Sequence, residues 1–199
     1  MAALIEAAKK PDYPAEISVV ISNRSDAGGL LVARAAGIAT EVVDHTQFKD
    51  RAAFENALQS ALEKFRIEIV CLAGFMRLLT ANFVEKWQNR ILNIHPALLP
   101  AFKGLDTHKR AIEAGAETHG ATVHFVVPEM DSGPILAQAA VPVLSGDTEE
   151  TLAMRVLEVE HRIYPQALRL VAEGRAKITR GQCLVDGVAV SSTSGTREH

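Results

Sequence analysis

Two apolar runs rich in β-branched residues, EISVVIS from Glu16 and IEIVCLA from Ile67, are separated by segments whose apolar residues recur every three or four positions. Runs of this kind suit strands buried on both faces of a parallel sheet, and LLVARAAG and DRAAFENALQSALEKF carry the spacing of amphipathic helices. The alternation predicts an α/β, Rossmann-type domain with a mostly parallel sheet. Gly37 stands where a helix C-terminal glycine belongs, and Asp50 can cap the next helix, because its carboxylate accepts from unpaired backbone N–H groups. Further on, ATVHFVV and ILAQAAVPV read as strands joined by the loop PEMDSG. A long helix follows, with Asp147 and Glu150 in capping-box positions, Gly174 closing it, and Pro165 expected to kink or divide it. CLVDGVAV reads as a hairpin turning at Asp186-Gly187, and the tail SSTSGTREH is too small and polar to pack.

A chain of 199 residues with 48% hydrophobic content can bury one sizeable core, so one domain is expected. The net charge is −3 and the Lys and Arg residues are scattered, which argues against nucleic acid or an anionic membrane as partner and favours small molecules. Cys71 and Cys183 lie far apart without metal-ligand spacing and read as free thiols. No apolar stretch approaches the roughly 20 residues a membrane span needs. The first residues lack the plan of a signal peptide, so the expected location is the cytoplasm.

The stretch RILNIHPALLP places a polar pair inside an apolar run. If ILNIH is a strand, Asn93 and His95 project to one face and Leu92 and Ile94 to the other, and Pro96 ends the ladder. Ligands of open α/β sheets collect at the carboxyl ends of parallel strands. There an amide can donate to a forming oxyanion while an imidazole moves a proton, a combination suited to acyl-type transfer. Taken alone, the pair equally fits strand-end residues that only satisfy hydrogen bonds, and MDSG fits an ordinary turn.

Four separated blocks, LAGFMRLLT, NIHPALLPAFKG, HGATVHFVVPEMDSGPILAQ and EHRIYPQAL, give the chain from Met1 to about Asp186 a resemblance to the phosphoribosylglycinamide formyltransferases, folate-dependent enzymes of purine synthesis. The resemblance implies a formyltransferase-like fold over residues 1–186, with residues 187–199 forming the end of the hairpin and a disordered tail. It implies formyl transfer from 10-formyltetrahydrofolate, as co-substrate, to the amine of glycinamide ribonucleotide, without a metal. Asn93, His95 and Asp131 match the family's catalytic positions. Arg51, Met76, Arg77, Leu78, Leu79, Asn93, Val127, Pro128, Glu129 and Met130 match positions around the folate. Glu160 matches the glutamate that meets the ribonucleotide; it falls on the apolar stripe Leu152, Val156, Ile163, Ala167, where a carboxylate needs a partner. Leu157 stands where the family can carry a polar residue that assists the nucleotide.

The family opens with a strand and a G-x-G-S-N turn that binds phosphate, whereas this sequence begins within the following helix, so the domain is expected to be incomplete at its amino end. A helix starting at Met1 would have no N-cap. His108 and His119 read as surface or cap residues and His124 as a packed strand residue; none shows a metal-ligand pattern. The implied partners are small molecules, for a monomer or weak homodimer. Two alternatives stay open: a folate-binding form without catalysis, and a formyltetrahydrofolate hydrolase.

Overall fold

The computed structural model describes residues 1–190; the SSTSGTREH tail lies outside the described residues. In chain order the elements are α1 (Ala2–Ala8), β1 (Val19–Ser22), α2 (Gly28–Ala35), β2 (Ala39–Val42), α3 (Arg51–Lys64), β3 (Val70–Leu72), α4 (Ala81–Lys86) and β4 (Ile91–His95). They continue with α5 (Thr107–Glu113), β5 (Thr118–Phe125), β6 (Ile135–Pro142), α6 (Glu149–Ala172), β7 (Ala176–Thr179), β8 (Gln182–Val185) and β9 (Val188–Ala189). The α/β fold follows the sequence pattern. β1 pairs with β2, and β3 with β4, in parallel; β5 and β6 extend the second ladder antiparallel. The carboxy-terminal strands turn at Asp186 and Gly187, whose φ angles of 51° and 83° suit a two-residue hairpin turn of the primed type.

Strand β4 lies at the centre because it is apolar on the face that meets α6. Leu92 is fully buried there with Ala121, Val123 and Phe125 of β5 and Leu136 of β6. The stripe Leu152, Val156, Ile163, Ala167 of α6 closes over them. On the other side, Ile91 packs with Leu62 of α3 and with Phe83 and Trp87 of the α4 segment.

Between β1 and β3 the sheet is not continuous, for the hydrogen-bonded order runs β1–β2 in one piece and β3–β4–β5–β6 in another. The edges of Val19–Ser22 and Val70–Leu72 face a cavity of about 1180 Å³, floored by Met1, Leu4 and Ile5 of the α1 segment. Every residue of these two strands is only half-buried. No helix among the described residues is long and apolar enough to cross a membrane.

Asp50 caps α3 as expected, accepting from Ala53 N at 2.8 Å. The long helix differs at its start, where the capping box is Thr148 and Thr151 rather than Asp147 and Glu150. Asp147 is drawn away by Arg155, whose guanidinium donates to both its oxygens at 2.8 and 2.9 Å. Pro165 does not divide α6, which runs unbroken over 24 residues. Proline removes one N–H, and the carbonyl it leaves, on His161, sits at an exposed position where water can serve it. α1 begins without a side-chain cap, in line with its sequence.

Candidate active site

The site grows from the pairing of β4 with β5. Asn93 stands opposite His124 and His95 opposite Thr122, so these four side chains share one face of the ladder. Burial lowers the pKa of His124 and keeps the ring neutral. Its Nδ1 donates to Phe125 O at 3.0 Å, which leaves Nε2 to accept from Asn93 Nδ2 at 3.2 Å. The orientation of the Asn93 amide is therefore set by a neighbour on the next strand.

His95 is 5% exposed. Its Nε2 donates to Phe102 O at 3.0 Å, and its Nδ1 lies 3.5 Å from Asp131 Oδ2. Asp131 comes from the turn between β5 and β6 with a φ of 48°, a left-handed conformation that aspartate tolerates better than most residues. Its Oδ2 accepts from Gly104 N at 2.8 Å and its Oδ1 lies 3.8 Å from His124 Nε2. One carboxylate thus faces both histidines. Thr122 ties down the chain after Pro96: its hydroxyl donates to Ala97 O at 2.7 Å and accepts from Leu99 N at 3.1 Å.

The residues matched to folate sit on two loops, one helix start and, for Asn93, strand β4. Met76 and Leu78, between β3 and α4, and Met130, between β5 and β6, are 76%, 54% and 51% exposed. Leu79 turns inward and packs with Phe83 and Trp87. The Arg77 guanidinium lies 5.8 Å from the ring of Phe54 on α3, whose exposed first residue is Arg51. Val127 is half-buried, while Pro128 and Glu129 are exposed beside Met130.

Glu160 is half-buried on α6, one turn before Tyr164, whose hydroxyl lies 2.8 Å from Leu72 O and 3.1 Å from Leu92 O. Burial raises the Glu160 carboxyl pKa, and the α-ammonium of Met1 opposes that shift. The same burial lowers the pKa of the Met1 ammonium.

One correction and one addition concern the histidines. His119 is 1% exposed rather than a surface residue, with its ring 5.7 Å from Phe102 and 5.2 Å from half-buried His108. The chain from Phe102 to α5 folds back over β5 and covers them. His124, read as packing, is buried but also serves Asn93. The period-two pattern of Thr122 and His124 in ATVHFVV carried that signal, since both share a face; the partner strand was what the pattern lacked. Among the described residues no group of three or more His, Cys, Asp or Glu could hold a metal ion.

A family model described as formyl transferase matches residues 1–168. The chain is 53% identical over 176 residues to a trifunctional purine biosynthetic protein, adenosine-3, of Gallus gallus, covering 88% of this chain but only 18% of that protein. It is 43% identical over 185 residues to the phosphoribosylglycinamide formyltransferase of Escherichia coli, covering 93% of this chain and 87% of the relative. Among solved structures, glycinamide ribonucleotide transformylase 1 of Symbiobacterium toebii superposes with a TM-score of 0.90 at 47% identity, covering 92% of this chain and 87% of that one.

Proposed function

The chain belongs to the formyl transferase family, and on that premise we propose that it transfers a formyl group from 10-formyltetrahydrofolate to the amine of glycinamide ribonucleotide. The observation that carries this reading is the placement of Asp131 Oδ2 3.5 Å from His95 Nδ1, beside an Asn93 amide already oriented by His124. The names borne by the similar proteins of known activity support the choice of substrates.

In the proposed reaction the substrate amine attacks the formyl carbon, forming a C–N bond and an oxyanion. The Asn93 amide and the His95 ring stabilise that oxyanion. Asp131, 3.5 Å from His95 Nδ1, holds the ring in place. The tetrahedral centre then collapses and breaks the bond to the folate nitrogen, and the proton released by the amine passes to that nitrogen. The step as written needs no metal. Met76, Leu78 and Met130 offer apolar contact to the folate ring, and the main chain of Arg77, Leu79 and Val127, Pro128 and Glu129 offers its polar edge donors and acceptors. Arg51 and Arg77 supply positive charge for the anionic end of folate. Glu160 receives the amine end of the ribonucleotide. In this reading the chain works in the cytoplasm on small molecules, as a monomer or weak homodimer and without nucleic acid.

The test follows a 13C-labelled formyl group by NMR. Label arriving on the glycinamide amine supports the reading. Label released as formate at the same rate with and without the ribonucleotide would make the chain a hydrolase.

A further inference from the structure

The loop 96–106 between β4 and α5 touches both His95 and Asp131. Its Phe102 carbonyl accepts from His95, and its Gly104 N–H donates to Asp131 Oδ2. Lys103 lies between these two contacts. Its ammonium donates to Ser132 Oγ at 2.6 Å, and that hydroxyl donates to Met130 O at 3.0 Å. The hydroxyl therefore bridges the residues on either side of Asp131. Behind the loop, Arg110 of α5 donates to Lys103 O at 2.6 Å and Leu105 O at 3.1 Å, with its guanidinium 5.7 Å from the Phe102 ring centroid.

Resting on the formyl-transfer reading, we propose that Lys103 is a positioning residue that holds Asp131 against His95 through the Ser132 hydroxyl. Phe102, Asp106 and Asp131 have φ angles of 52°, 55° and 48°, so loop and turn both contain left-handed residues that persist only where their surroundings hold them. A hydrogen bond from an ammonium is stronger than one from a neutral donor, and here it spans the two segments. Gly104 adds a backbone bond one residue later, so the loop grips the turn at two adjacent points. The groups facing Asp131 are His95 of β4, His124 of β5 and the Gly104 N–H. Lys103 faces its neighbour Ser132 and acts on Asp131 through the backbone.

The test uses the full chain with Lys103→Met, Lys103→Arg and Ser132→Ala. In the ligand-free protein, the Gly104 amide proton reports its bond to Asp131 by NMR. It should move upfield and exchange faster in Lys103→Met, and return towards the parent value in Lys103→Arg. Ser132→Ala should shift it in the same direction, and adding Lys103→Met should add little. With both substrates saturating, Lys103→Met should lower kcat by about tenfold to 10²-fold. KM should hardly change. An unchanged Gly104 amide in Lys103→Met, or a loss that falls on KM with kcat unchanged, would overturn the proposal. So would a Lys103→Arg variant no better than Lys103→Met. The Gly104 amide decides the matter even for a chain that transfers no formyl group, so failure of the functional reading and failure of this proposal are separate results.

Discussion

Two regions of the fold differ in how their strands are covered. Where β4 and β5 pair, each has a hydrogen-bonded neighbour on both sides, Leu92, Ala121, Thr122 and Val123 are fully buried, and the polar groups of Asn93, His95, Thr122, His124 and Asp131 find partners. Where β1 faces β3, two parallel edges look into a cavity and their residues are all half-buried. The strands beside the cavity are the more apolar ones. Burial of a strand is therefore a property of its neighbours rather than of its own composition. Asn93, His95 and Asp131, the groups proposed for catalysis, stand on the closed side, as a site requiring fixed geometry must.

Substitutions should expose that inequality. The largest effect is expected from His95→Ala, which should cost roughly 10²- to 10⁴-fold in turnover at saturating substrates. The buried ring leaves a cavity and an unpaired Phe102 carbonyl, so the unfolding midpoint should fall as well and turnover is read where the variant is folded; normal turnover would remove His95 from the mechanism. Next comes Gly133→Ala, where an added Cβ collides with the Phe125 carbonyl oxygen beside the Asp131 turn. Chemical denaturation should show a loss on the order of 1–3 kcal/mol, and a stable variant would mean that the turn yields more than its packing indicates. A matched pair comes third. Val123→Ala on the closed side should cost about 2–3 kcal/mol, and Val20→Ala beside the cavity less than about 1 kcal/mol. Equal losses would abolish the distinction between the regions.

A further effect concerns pH. Burial holds the His119 ring down to about 4 from an ordinary value of 6.5. The unfolded chain therefore takes up a proton below 6.5 that the folded chain refuses until about 4. The stability tied to the neutral ring is complete above the upper value and is lost as pH falls through that window. Thermal midpoints of His119→Phe should accordingly decline less between pH 6.5 and 4 than those of the parent. Parallel declines would show that His119 takes no part.

Much of this was legible in the sequence, and the misses share a cause. The Asp50 cap, the Asp186-Gly187 turn and the common face of Asn93 and His95 depend on contacts within a few residues, which spacing reveals. The displaced cap of α6 depends on Arg155, two turns downstream, claiming Asp147. The burial of His119 depends on Phe102 and His108 folding over it, and the service of His124 to Asn93 depends on antiparallel pairing across 31 residues. Local chemistry shows what a residue can offer; only the fold decides which neighbour takes it. The family blocks pointed to Asp131, but nothing local showed that one carboxylate would face two rings.

Asp131→Asn tests that arrangement most directly, because the substitution keeps the shape of the side chain while removing its charge and one of its two acceptor oxygens. Turnover with both substrates saturating is measured beside the unfolding midpoint of the same preparation. The mechanism predicts a fall of roughly 10²-fold or more in kcat with an unfolding midpoint close to that of the parent. Parental turnover, or a loss that simply follows a lowered midpoint, would contradict it.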